Sequence, residues 1–175
     1  MVSRGRALTA WALGLFFCAA FGIRPALPQT QDDAWSASVK NAIAWLQANS
    51  PYSELTAPRF WVSLSPDDMA AKVLDRNVTA FYVCSENAIY YRTDFNVGNL
   101  FGASLLIHEL VHHGQCVTRR ARDRCAWEQE AYAIQAKFLR SYKARQDAAT
   151  AERLEPVAGE VEQTATRACE QMRTR

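Results

Sequence analysis

The sequence predicts an α+β domain in which a short sheet containing a hairpin is followed by a helical C-terminal half. Three observations carry this. Apolar residues recur at three- and four-residue spacing from Asp33 to Asn49; two runs rich in β-branched and aromatic residues, 78–84 (VTAFYVC) and 88–92 (AIYYR), flank a short turn; and from Leu100 onward the pattern is helical. At 175 residues the chain has room for one domain of ordinary size. Hydrophobic residues at 49% and charged residues at 22%, with 7 Gly and 6 Pro, exclude disordered, collagen-like and polytopic membrane classes.

Arg4 and Arg6 precede an almost uncharged stretch, 7–22 (ALTAWALGLFFCAAFG), the pattern of a secretory signal peptide. Residues 1–22 are therefore read as a cleaved signal, 23–32 (IRPALPQTQD) as a linker, and 33–175 as a single domain, exported to a periplasmic or secreted location. The apolar run falls short of the ~20 residues of a comfortable membrane span, so no stable span is expected after cleavage. Removing residues 1–22 takes two of the 20 basic residues and none of the 18 acidic ones, so the formal charge falls from +2 to zero. That balance disfavours nucleic acid as a partner. Cys84, Cys116, Cys125 and Cys169 remain, an even count that allows two disulfides in three pairings.

In chain order, Trp35, Val39, Ala42, Ile43 and Leu46 form the stripe of an amphipathic helix closed by Asn49, Ser50 and Pro51. Arg59–Ser63 reads as a strand. Ser65, Pro66, Asp67 and Asp68 supply a cap, a first-turn proline and first-turn acids for a short helix through Leu74. Ser85, Glu86 and Asn87 join the two strands of the hairpin. Leu100 to about His113 forms an apolar helix, with Asn99 as cap and Gly114 as stop. A long helix follows from about Arg124 to Arg145, and the tail after Pro156 is helical, with Cys169 able to tie it down.

All three histidines lie in one segment, His108-Glu109-Leu110-Val111-His112-His113, a His-Glu-x-x-His motif on a predicted apolar helix. Unpartnered imidazoles and a carboxylate are costly to bury there, and a metal ion satisfies them. At about 100° per residue, His108 and His112 differ by about 40° and stack one turn apart, so both imidazoles reach one cation. Glu109 flanks that face, as suits a base that takes a proton from metal-bound water. His113 points about 100° away, toward a supporting or partly exposed position.

Catalytic zinc takes three protein ligands, and no further histidine exists. The third ligand is then a carboxylate, and Glu128 and Glu130 on the next helix are the candidates. Glu128 lies about 65° from the centre of that helix's apolar face and Glu130 about 95°, and Ala131 beside Glu128 permits close helix approach, so Glu128 is favoured.

His108-Glu109-x-x-His112 followed by a helical Glu128-x-x-Ala131 resembles the zincin metallopeptidases of the gluzincin type. The resemblance covers roughly Val78 to Leu139. It implies a small zincin-like domain with a mixed sheet, hairpin-edged, packed on the motif helix. It also implies hydrolysis of peptide bonds in peptide or protein substrates, with Zn2+ held by His108, His112 and Glu128 and water activated by Glu109. Asn87-Ala88-Ile89-Tyr90-Tyr91 is similar to the edge strand with which thermolysin-like members bind extended substrate.

Two departures qualify the likeness. The aspartate that many gluzincins carry four residues after the glutamate ligand is replaced by Tyr132 after Glu128, or by Ile134 after Glu130, which leaves the groups behind the ligand histidines unassigned. No histidine remains for the oxyanion, which leaves Tyr90, Tyr91, Tyr132 and Tyr142. A non-catalytic metal-binding or interaction protein on the same scaffold is the alternative. Cys116 and Cys125 bracket the connection between the two metal-bearing helices and could pair there, or either could pair with Cys84. The four arginines between them read as a solvated face or as a site for an anionic substrate.

Overall fold

The computed structural model describes residues 31–118, 123–143 and 148–173. The signal-peptide reading of 1–22 and most of the linker lie outside them. Five helices and three strands follow in the order α1 (Gln31–Asn49), β1 (Phe60–Leu64), α2 (Pro66–Val73), β2 (Ala80–Val83), β3 (Ala88–Arg92), α3 (Leu100–Val117), α4 (Arg124–Lys143) and α5 (Ala148–Arg173). The architecture is the α+β arrangement expected. α1 begins at Gln31, so the last two residues of the predicted linker are helical.

Local signals act as the residue types require. The Ser65 hydroxyl accepts the Asp68 N–H at 3.1 Å and caps α2, and Asn99 accepts the Gly102 N–H at 2.7 Å to cap α3. Asn87 takes the left-handed conformation (φ 50°) that turns the hairpin.

The sheet order is β1-β3-β2, with β1 parallel and β2 antiparallel to β3. This corrects the expectation for Asn87–Tyr91: β3 is the central strand, and β2 is the hairpin strand left at an edge. Alternate residues serve two layers. Trp61, Tyr82, Ile89 and Tyr91 join the main core with α1, α3 and α4, whereas Val62, Phe81, Ala88 and Tyr90 pack around Met69 of α2.

α3 is the spine of the molecule, and Leu106, Ile107, Leu110 and Val111 are fully or almost fully buried along it. It does not stop at Gly114 but runs to Val117. Gly114 is there for packing, because a Cβ would fall 2.6 Å from the ring of Tyr52. Ala131 is completely buried, as close approach of α4 to α3 requires.

The disulfides are Cys84–Cys116 and Cys125–Cys169. Cys116 and Cys125 therefore do not pair with each other. The first bond ties the end of β2 to the last turn of α3, and the second ties the start of α4 to the end of an antiparallel α5. α5 begins at Ala148, with Pro156 inside it, rather than after the proline. Among the described residues no helix is long and apolar enough to cross a membrane.

Candidate metal centre

The one-turn spacing of His108 and His112 on α3 brings their Nε2 atoms within 3.1 Å of each other. Glu128 reaches across from α4, with one carboxylate oxygen 3.5 Å from His108 Nε2 and the other 3.6 Å from His112 Nε2. Two donors each about 2.05 Å from one tetrahedral centre lie about 3.3 Å apart, so the three groups have the mutual spacing of zinc ligands. Glu130, the rival third ligand, instead accepts a hydrogen bond from the Gln115 amide at 3.2 Å.

Behind each histidine stands a buried glutamine. His108 Nδ1 lies 3.2 Å from Gln135 Oε1 and His112 Nδ1 lies 2.8 Å from Gln115 Oε1. The orientation of both amides is dictated by what lies beyond them. Gln115 donates to the Trp127 carbonyl (2.9 Å) as well as to Glu130, and both partners can only accept. Gln135 donates to the Ser104 hydroxyl (3.1 Å), which itself donates to the Phe101 carbonyl (2.8 Å). Each glutamine must therefore turn its oxygen to a histidine, and each Nδ1 must carry the hydrogen. Both Nε2 atoms of the neutral imidazoles are then bare lone pairs facing each other beside a carboxylate. That cluster is stable only around a shared cation, a proton or a metal ion.

The electrostatics agree. Burial opposes charge on His112, but the adjacent carboxylates of Glu128 and Glu109 and the Gln115 oxygen outweigh it and raise its pKa to about 9. Burial likewise opposes ionisation of Glu128, yet the two histidines hold its pKa well below the ordinary carboxylate range.

These groups open into a cleft of about 510 Å³ between α3, α4 and β2. Glu109, only 7% exposed, lines it beside the histidines. Ala80, Phe81 and Tyr82 all line it too. Successive residues of one strand do so when its edge, rather than one face, meets the cleft, so the rim strand is β2 and not β3. Of the four candidate tyrosines only Tyr132 lines the cleft, its ring edge-on to His108 at 4.4 Å between centroids. Burial, then the charges of Glu128 and Glu109, push its pKa up. Tyr90 lies on the α2 side and donates its hydroxyl to Glu86, while Tyr91 stacks on Trp35.

His113 is buried, not partly exposed. Its Nε2 donates to the Thr56 carbonyl at 3.1 Å, and its Nδ1 lies 3.0 Å from the Tyr82 hydroxyl. It pins the rim strand to α3, and burial lowers its pKa. Gln115 and Gln135 are the site residues that sequence reasoning missed. Their signal was polarity at positions of otherwise buried helical stripes, with Gln115 three residues after His112.

No curated protein and no solved structure matches the chain. A family model described as a domain of unknown function (DUF6647) matches residues 31–152, a span that holds every residue of the candidate centre. The chain belongs to that family.

Proposed function

We propose that the protein is an exported zinc metallopeptidase of gluzincin-like type, with His108, His112 and Glu128 holding Zn2+ and Glu109 as general base. The observation that carries this is the cluster of two Nε2 atoms and a carboxylate at 3.1, 3.5 and 3.6 Å, with both Nδ1 atoms satisfied from behind. The donor set, two imidazoles and one carboxylate, suits zinc and leaves a fourth position for water or substrate. Bound zinc would supply a Lewis acid that polarises a substrate carbonyl and acidifies water.

The chain's own groups do the rest. Gln115 and Gln135 hold the imidazoles in one tautomer and orientation. Glu109 takes the proton of the attacking water and delivers it to the leaving amine. Tyr132 is the tyrosine available to hydrogen-bond the developing oxyanion. The open edge of β2 would receive an extended peptide as an added strand. Two disulfides accord with an oxidising, exported setting, periplasmic or secreted.

Glu109→Gln should keep zinc and lose cleavage of a peptide library by at least a hundredfold, read by mass spectrometry. Cleavage that survives with zinc bound would refute the mechanism. The neutral glutamines, in place of carboxylates, favour a second reading in which the centre holds metal without turnover; it predicts zinc and no cleavage of any library.

A further inference from the structure

Among the described residues, the cleft has one charged group that the hydrolytic reading does not use. Arg124, Glu128 and Tyr132 fall four residues apart on α4 and all line the cleft. A rise of about 6 Å per four residues puts Arg124 one turn from Glu128 on one side and Tyr132 one turn away on the other. Arg124 is exposed, and among the described residues no carboxylate pairs with it and no hydrogen bond engages its guanidinium. The neighbouring Asp123 caps α4, accepting the Ala126 N–H at 2.8 Å.

Apart from the histidines of the centre, the other charged groups among the described residues lining the cleft are the acids Glu109 and Glu128. With zinc bound the charges of Glu109 and Glu128 are offset at the centre, so among the described residues lining the cleft Arg124 is the cation left for a ligand carboxylate, about one helical turn to one side. An arginine side chain spans roughly 6–7 Å and an extended peptide about 3.3 Å per residue, so the guanidinium reaches one to three residues from the centre. Its planar fork matches a carboxylate. A polyanion fits less well, because outside the metal centre Arg124 is the one described cation that lines the cleft.

We propose that Arg124 is a specificity-determining residue that selects ligands carrying a carboxylate one to three residues from the metal centre. This rests on the proposed function above for the seat of the peptide. The carboxylate has two sources, a free peptide C-terminus or an Asp or Glu side chain.

Zinc-loaded Glu109→Gln protein should be titrated by fluorescence anisotropy with three labelled hexapeptides of otherwise common sequence. One is neutral with a free C-terminus, one amidated with a single internal Asp, and one amidated and neutral. At low salt, at least one carboxylate peptide should bind about tenfold tighter than the amidated neutral one, and which of the two does so identifies the source. Adding Arg124→Gln should bring that ratio within twofold. Adding Arg59→Gln, an exposed arginine stacked on Phe60, should leave it.

Absence of peptide binding, equal binding of all three, or a preference that survives Arg124→Gln would overturn the proposal. The same peptides given to protein with Glu109 intact separate the two readings. Arg124-dependent binding without cleavage contradicts hydrolysis and supports the selectivity.

Discussion

Replacement of Gln135 by Leu tests the two-glutamine support most sharply. Gln135 is 1% exposed and makes its two hydrogen bonds to His108 and Ser104. Leucine is close in volume, so little cavity forms, but the buried Nδ1–H of His108 loses its acceptor. Ser104 keeps its bond to the Phe101 carbonyl and loses only a donor to a spare lone pair. The cost is therefore that of one orphaned buried N–H, about 1–3 kcal/mol of stability. In zinc affinity, loss of the group that orients a ligand histidine is worth roughly tenfold to a hundredfold. Competition with a chromophoric chelator measures the affinity, and urea unfolding of the metal-free protein measures the stability. Gln135→Glu, which keeps the acceptor, should hold zinc within about threefold of the unmutated protein or tighter. If Leu and Glu variants bound zinc equally, the tautomer argument would be refuted.

Other consequences follow from the same geometry. With His112 raised from 6.5 to about 9 in the metal-free protein, its stabilising contribution is complete below pH 6.5 and is lost as pH rises through about 9. Zinc must displace that proton, so calorimetry in buffers of different ionisation enthalpy should give about one proton released per zinc near pH 7.5 and almost none above pH 10; a pH-independent count would contradict this. The lowered pKa of Glu128 acts in the opposite direction: its contribution is present above pH 4.5 and is lost on acidification, so acid should release zinc. Gly114→Ala should destabilise despite the ~1 kcal/mol gained in helix propensity, because overpacking against the buried Tyr52 ring costs about 1–3 kcal/mol; a stabilised variant in urea unfolding would disprove the close-packing role. The Cys84→Ser/Cys116→Ser pair opens a link spanning 32 positions, worth about 4 kcal/mol, and should also weaken zinc because Gln115 precedes Cys116; unchanged unfolding would count against that bond.

What was legible in the sequence was what local chemistry encodes. The Ser65 and Asn99 caps, the hairpin and the stacked pair His108–His112 all depend on residues within a few positions of each other. Helix phase and the nearby Ala131 favoured Glu128 over Glu130, and Glu128 is the one that lies within 3.6 Å of both histidines. What was hidden depends on distant pairing. β3 was read as an edge because nothing local announces its parallel partnership with β1, in which Phe60 faces Ala88. Gly114 has the composition of a stop, yet Tyr52, far back in the chain, makes it an interior packing site. The disulfides follow from how α3 meets β2 and how α5 folds back on α4, and spacing carries neither. Gln115 and Gln135 went unnoticed because glutamine usually belongs on helix surfaces, and only the docking of α4 on α3 turns them toward the histidines.

The central claim is that His108, His112 and Glu128 form one metal centre, and elemental mass spectrometry tests it most directly. Protein purified gently with added zinc should carry one zinc per chain, Glu128→Ala should lose most of it, and Glu130→Ala should keep it. Metal-free unmutated protein, or zinc lost only with Glu130→Ala, would contradict the centre described here.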